Sequence, residues 1–318
     1  MFSVFLVAYM NRSGSSFFFE QISKCSKVTV CLEAEVLVYE LLQKPKKKLS
    51  SSKINNIYKW IETDRKLSKW KLSTSDLQGL EKSNYNIDAF IRILESYAQK
   101  VNPKAEYIFF KATKLIDFLG KHQDVMKEYN IQSIGIIRDP RAIYNSQCSN
   151  KISDSNACFS NNPYSFAIEW NSYIKKIVTL EKEKKIQLFF FENIVSEIEV
   201  VNITLTSKFG ISFIGSDIGN YCKRLPAQQI HLHKNISAKP NKNRISAWKE
   251  ELNKFDAAIV SSTTKGFRYK FNYSDYNVDN NLLLYSRYVL YFIKHYINLI
   301  FGLLARVIHK LSNFPIIF

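Results

Sequence analysis

The groups best able to do chemistry lie in two short stretches. Residues 5–17 read Phe-Leu-Val-Ala-Tyr-Met-Asn-Arg-Ser-Gly-Ser-Ser-Phe, and residues 134–146 read Ile-Gly-Ile-Ile-Arg-Asp-Pro-Arg-Ala-Ile-Tyr-Asn-Ser. Each is an apolar run that breaks into a loop rich in anion-binding groups and then takes on a helical pattern. In the first, Ser13, Gly14, Ser15 and Ser16 are small enough to let a phosphate reach the unsatisfied N–H groups of a helix start. Arg12 adds a fixed fork of donors at the same point. In the second, Arg138 leaves a strand end, and Ser146, eight residues on, falls about two turns into a helix that Pro140 can open. Both can face one phosphate outside the sheet edge. Arg138 has a salt bridge with Asp139 as its structural alternative, Ser146 an ordinary place on a helix, and Arg141 either supports the loop or faces solvent.

The ATP-type loop GxxxxGK[ST] is absent, because no lysine stands between Gly14 and Ser15-Ser16. No acidic strand end is an obvious magnesium partner, Glu192 being the nearest to one. A metal-assisted kinase is therefore the lesser enzyme reading. Proton acceptors are few. Glu33 and Glu35 follow a β-rich stretch and are either a general base and its neighbour or exposed carboxylates at a helix start. Lys111 ends another apolar run; it contacts an anion or is simply exposed, as is Lys114. Of the histidines, His122, His231 and His233 are weaker candidates, and His295 and His309 read as structural.

Positioning these groups requires a sheet. Strands are expected at Phe2–Tyr9, Lys27–Leu32, Tyr107–Phe110 running into Lys111, Ser133–Ile137 and Gln187–Phe191. Helices are expected over Phe17–Lys24, capped by Ser13 or Ser15, and over Ile87–Lys100, Gln123–Tyr129 and Phe166–Lys182, with another opening at Pro140. Near-continuous apolar strands alternating with helices predict a mostly parallel sheet covered on both faces. The Lys/Ser-rich stretch 44–56 reads as a loop or excursion, and Trp60–Glu81 has no assigned place on the sheet.

At this point the motifs become specific. Arg12-Ser13-Gly14-Ser15-Ser16-Phe17 resembles the 5′-phosphosulfate loop of the sulfotransferases that use 3′-phosphoadenosine 5′-phosphosulfate (PAPS), and is most similar to the carbohydrate sulfotransferases acting on N-acetylglucosamine, galactose or chondroitin. Arg138-Asp139-Pro140-Arg141-Ala142 with Asn145-Ser146 resembles that family's 3′-phosphate element. The resemblance extends through Phe110–Lys114 and the segment around Trp248, over roughly residues 1–270. It implies a P-loop-like three-layer α/β fold, transfer of a sulfuryl group from PAPS to a sugar or glycolipid hydroxyl, release of the nucleotide product PAP, and no metal. It implies cofactor contacts from Arg12, Ser13, Gly14, Ser15, Ser16, Phe17, Arg138, Ser146 and Arg244, and catalytic roles for Arg12, Lys111 and Glu33. Glu33 matches the Glu of the family's Phe-Glu-Pro, but Ala34 replaces the Pro, which keeps Glu35 as an alternative base.

The bulk properties set the remaining bounds. The chain has 318 residues and a formal net charge of +17. That charge fits a polyanionic ligand, an acidic polymer or an anionic membrane, and equally a lysine-biased composition. Nucleic acid is not an expected partner, since the charge is dispersed and no nucleic-acid module is visible. A basic membrane- or nucleic-acid-binding protein that keeps a phosphate site is the reading from outside the enzymes. The five cysteines, Cys25, Cys31, Cys148, Cys158 and Cys222, form no CxxC pair and suggest a reducing compartment. Phe2–Tyr9 is too short for a signal peptide, so the expected location is cytoplasmic, peripheral on the inner membrane surface if the tail binds lipid. The expected organisation is one domain over 1–275, with excursions at about 44–86 and 147–165, and an apolar tail over 281–318. In the tail, Arg287, Lys294 and Asn298 share one helical face, and Val289, Phe292, Ile293, Leu299, Ile300, Leu303 and Leu304 the other. Such a helix over 288–311 lies on a membrane, docks on the domain, or joins two copies as a homodimer.

Overall fold

The computed structural model describes residues 2–150, 158–213, 221–225, 240–276, 278 and 281–312, with the backbone alone for 281 and 307–312. His231 and His233, part of the 147–165 excursion and residues 313–318 lie outside the described residues.

The apolar runs form five strands: β1 (Ser3–Ala8), β2 (Val28–Val30), β3 (Tyr107–Lys111), β4 (Gln132–Ile137) and β5 (Gln187–Phe190). All are parallel, in the order β2-β3-β1-β4-β5. This is an α/β fold with a central parallel sheet. β1 is central because it is buried along nearly its whole length, and its ladder is satisfied on both sides, with Leu6 opposite Phe110 and Ser133. Phe5 stacks on Phe109 of the neighbouring strand, ring centroids 4.5 Å apart. The chain leaves β1 toward β2 and β3 on one side, and later adds β4 and β5 on the other. Strand order therefore reverses between β1 and β4, the switch point at whose carboxyl ends open α/β sheets bind their ligands.

The crossovers are α1 (Ser15–Ile22), α2 (Ser51–Thr63), α3 (Asn86–Val101), α4 (Leu115–Lys121), α5 (Gln123–Glu128), α6 (Pro140–Ser149) and α7 (Pro163–Lys182). After β5 follow α8 (Phe191–Ser196), α9 (Ile198–Phe209), α10 (Lys254–Thr263) and α11 (Asn281–Ser312). Two expectations are corrected. The stretch 44–56, read as a loop or excursion, is helical from Ser51 on, where α2 begins, and its N-cap Ser50 accepts a hydrogen bond from the Lys53 N–H. Neither Ser13 nor Ser15 caps α1; Gly14 holds that position in the left-handed region, with no side-chain cap. The unplaced stretch after Trp60 forms short 3₁₀ turns. It is fixed by Trp70, which is buried and packs 4.4 Å from the Tyr97 ring of α3.

The chain divides into two compact units, Met1–Arg138 with Lys175–Asn243, and Asp139–Ile174 with Arg244–Phe318. The first holds the whole sheet. The second contains α6, the start of α7, α10 and α11, the apolar tail helix.

Candidate active site

The loop between β1 and α1 is shaped by two residues with positive φ, Arg12 at 72° and Gly14 at 93°. For Arg12 that is a strained conformation, and non-glycine residues there concentrate at functional sites. Gly14 is required twice over. Its backbone is left-handed, and a Cβ would stand 2.1 Å from Cδ2 of Phe191, the first residue of α8. The first helical hydrogen bond runs from the Phe18 N–H to the Gly14 carbonyl. The N–H groups of Ser15, Ser16 and Phe17 consequently lack an intrahelical acceptor. Ser13 is fully buried, and its hydroxyl has no hydrogen-bond partner. A buried orphan hydroxyl beside a helix start and a glycine whose Cβ is excluded is a fitting seat for a tetrahedral anion.

Arg138 reaches this loop from the end of the neighbouring β4. It is buried, donates from Nη1 to the Arg12 carbonyl at 3.0 Å, and lies 4.0 Å above the Phe191 ring. Phe191 was expected to end a strand; instead it starts α8 and packs beside Gly14 and under the Arg138 guanidinium. Asp139 pairs with Arg141. The Arg141 guanidinium grips Asp139 through Nε at 2.9 Å and Nη2 at 2.6 Å, and lies 4.0 Å over the Trp248 ring. Arg141 therefore supports its loop, and Trp248 is core.

Lys111, the last residue of β3, is wholly buried. Its ammonium donates to Ser16 Oγ at 2.7 Å and to Ser15 Oγ at 3.2 Å, and pairs with Glu33 Oε1 at 3.1 Å. It also lies over the rings of Tyr9, Phe19 and Tyr221. The choice left open for Lys111 is thus decided against solvent exposure, whereas Lys114 and Lys265 are exposed. Burial pulls the Lys111 pKa below its ordinary value against the opposing pull of Glu33.

Glu33 follows β2 and accepts the Tyr9 hydroxyl on Oε1 at 2.6 Å and the Lys66 ammonium on Oε2 at 3.1 Å. Lys66 also pairs with Glu35 Oε1 at 2.7 Å. Glu33 and Glu35 are each about a quarter exposed, at 27% and 23%, rather than freely solvated. Burial pushes the Glu33 carboxyl up, but Lys111, Lys66 and the Tyr9 hydroxyl outweigh it and hold the group far below the usual carboxylate range. Tyr9 itself is pushed well up by burial and by the Glu33 charge.

The first unit thus brings together Arg12, Ser13, Gly14, Ser15, Ser16, Phe17, Glu33, Lys111 and Arg138. Tyr9, Lys66, Tyr221 and Phe191 join them without having been singled out. Tyr9 was legible as the last residue before the loop, whereas Lys66 is one lysine among many in an unassigned stretch. Ser146 and Arg244 belong to the second unit. Ser146 is buried in α6. Its neighbour Asn145 donates to Glu251 at 2.7 Å, and Arg244 pairs with the other oxygen of the same carboxylate at 2.7 Å. His122, half-buried, lies beside Phe118. Among the described residues, no three His, Cys, Asp or Glu side chains gather as a metal site.

No family model matches the chain, and no curated protein matches it. Among solved structures it is similar to the sulfotransferase domain of the Synechococcus PCC 7002 olefin synthase, at 12% identity and a TM-score of 0.55, over 86% of this chain and 95% of that one. It is also similar to a sulfotransferase domain from the curacin biosynthetic pathway, at 14% identity and a TM-score of 0.52, over 86% of this chain and 98% of that one. At such identities the likeness establishes a shared fold, that of sulfotransferase domains.

Proposed function

We propose that the protein is a PAPS-dependent sulfotransferase that moves a sulfuryl group to a hydroxyl of a carbohydrate or glycolipid acceptor and releases PAP. One observation carries the reading: the buried Lys111 ammonium bridges the anion loop, through Ser15 and Ser16, and the Glu33 carboxylate, all within 3.2 Å. A donor-side cation and an acceptor-side base are thereby joined at the sheet edge. PAPS supplies the sulfuryl group and its phosphate leaving group. The N–H groups of Ser15, Ser16 and Phe17 cradle the 5′-phosphosulfate with the Ser13 hydroxyl, Arg12 lies beside the bridging oxygen, and Arg138 takes the 3′-phosphate, with Ser146 carried by its spacing in the motif. As the bond from sulfur to the phosphate oxygen breaks and the bond to the acceptor oxygen forms, Lys111 and Arg12 stabilise the charge on the departing oxygens. Glu33 takes the acceptor proton.

A carboxylate held as acidic as Glu33 is a weak base. The bridge offers a remedy. When Lys111 turns its charge toward an anion in the loop, its hold on Glu33 slackens and the proton affinity of the carboxylate rises. Glu33→Gln is therefore expected to cut turnover by roughly 10²–10⁴-fold while sparing PAP binding. If Glu35→Gln shows that loss and Glu33→Gln does not, Glu35 is the base. The reading as a whole is tested with radiolabelled PAPS and mixed glycan and glycolipid acceptors. Label transfer that survives EDTA supports it, and ATP turnover with a strict magnesium requirement replaces it with a kinase.

A further inference from the structure

Helix α11 is docked along one edge of mixed character. Tyr164 packs against its Tyr288, Phe292 and His295 rings, with centroids 5.3, 5.4 and 5.5 Å apart, while Lys294 and Asn298 are exposed. The Arg287 guanidinium lies 4.7 Å over the Phe255 ring of α10. The Tyr291 carbonyl accepts from Asn162 at 3.1 Å, and His295 Nδ1 shares a 2.9 Å hydrogen bond with Ser165. Residues 287, 291 and 295 follow one another at i,i+4 spacing and form a single stripe. Opposite it stands a second stripe of Leu290, Ile293, Ile297, Ile300 and Leu304, each between 45% and 64% exposed. A helix on a soluble domain turns its apolar stripe inward. Here the stripe points away from the unit that holds the helix.

Beyond His295 the helix has no apolar side to spare for a domain. Tyr296, Leu299, Phe301 and Leu303 are exposed as well, so apolar residues surround it on nearly every side. The stretch Leu282–Arg306, 25 residues, is long and apolar enough to cross a membrane, and none of it is buried. The part past the docked edge, residues 296–306, is only about 16 Å long at 1.5 Å per residue. That is half of a hydrocarbon core. From 281 to 318 the sequence carries Arg287, Lys294, Arg306 and Lys310 and no acidic residue. A second copy pairing along this helix would bring like charges together and would need only one stripe; an anionic bilayer matches both the charge and the all-round apolar surface.

We infer that α11 is an interfacial anchor whose exposed apolar stripe and distal half lie in one leaflet of an anionic membrane, with its edge through Arg287, Tyr291 and His295 bound to its own domain. The inference stands apart from the sulfuryl-transfer reading, because nothing in it uses the anion loop.

The test uses the full chain and phospholipid vesicles, either pure phosphatidylcholine or one quarter phosphatidylserine. The protein is expected to co-sediment with the anionic vesicles and less with the neutral ones. Ile300→Asp, on the exposed stripe, is expected to weaken partitioning roughly tenfold or more. Ile300→Trp keeps the stripe apolar and gains an emission that brominated lipid quenches. Absence of co-sedimentation with either vesicle overturns the anchor. So does a dimer in light scattering that Ile300→Asp dissociates without any vesicle binding, which would make a second copy the occupant. An unquenched Trp at 300 on bound vesicles overturns the depth assigned to the helix.

Discussion

The loop after β1 and the loop after β4 both follow a buried parallel strand and both carry arginine, yet they are built in opposite ways. In the second, the Asp139 side chain caps α6 by accepting from the Arg141 N–H, Pro140 opens the helix, and the Arg141 guanidinium closes on the same carboxylate. In the first, Arg12 and Gly14 have positive φ and the buried Ser13 hydroxyl has no partner. The second loop is capped and closed by its own side chains; the first is held in an unfavourable shape by its surroundings. Strain and an unmet hydroxyl at the first loop mark it, under the proposed reading, as the one a bound anion would complete.

The sharpest way to break this contrast is at Asp139. Asp139→Ala leaves the Arg141 charge buried without its carboxylate, and urea unfolding should show a loss of about 3–5 kcal/mol. A loss below about 1 kcal/mol would mean that the second loop is not self-supporting. Gly14→Ala comes next. Positive φ and the collision with Phe191 together predict a loss of about 2–4 kcal/mol. Phe191→Ala in the same chain should recover part of it, a non-additivity that a double-mutant cycle reads directly.

Arg138→Ala should weaken PAP by about 1.5–3 kcal/mol, the value of a hydrogen bond to a charged group. An analogue lacking the 3′-phosphate should hardly be affected. Equal losses in calorimetry would remove Arg138 from the 3′-phosphate site.

The ion pair at the mouth of the first loop predicts a pH response. The Glu33 pKa lies below its ordinary value of 4.5 in the folded protein. Its contribution to stability is therefore complete above about pH 4.5 and is lost as the pH falls through the folded value. Glu33→Gln should flatten that acid limb of the stability profile; an unchanged limb would show that other carboxylates govern it. The smallest effect is expected at Ser13. Because its hydroxyl is buried and unpartnered, Ser13→Ala should leave stability unchanged or raise it by up to about 1 kcal/mol while weakening PAP. Destabilisation with unchanged PAP affinity would mean that the hydroxyl serves the fold.

Much of the scaffold was legible because it follows local rules. β3, β4 and α3 fall within one or two residues of their expected bounds, since long apolar runs and a clear i,i+3,i+4 pattern need no tertiary information. α2 was hidden by composition. It buries only Ile57 and Ile61 on an otherwise polar helix, so its apolar period is faint against a lysine- and serine-rich background. The anion loop was legible as a motif, but its cap was misassigned, because serine is favoured at N-caps and only the packed Phe191 ring explains why glycine stands there instead.

Residue types and their order determined the parallel α/β sheet, the anion loop at the end of the first strand, the arginine at the end of the fourth, and an amphipathic tail helix. Tertiary structure decided which charges meet. Glu33, Lys66 and Lys111 lie far apart in the chain and close in space, and no spacing rule links a lysine from an irregular excursion to a strand-end carboxylate. It also decided which edge of α11 the domain takes. The sequence pattern fixes the faces of a helix, but which edge docks depends on what the neighbouring side chains offer: Asn162, Tyr164, Ser165 and Phe255 meet the edge from Arg287 to His295, and the stripe through Leu290, Ile297 and Ile300 is left exposed.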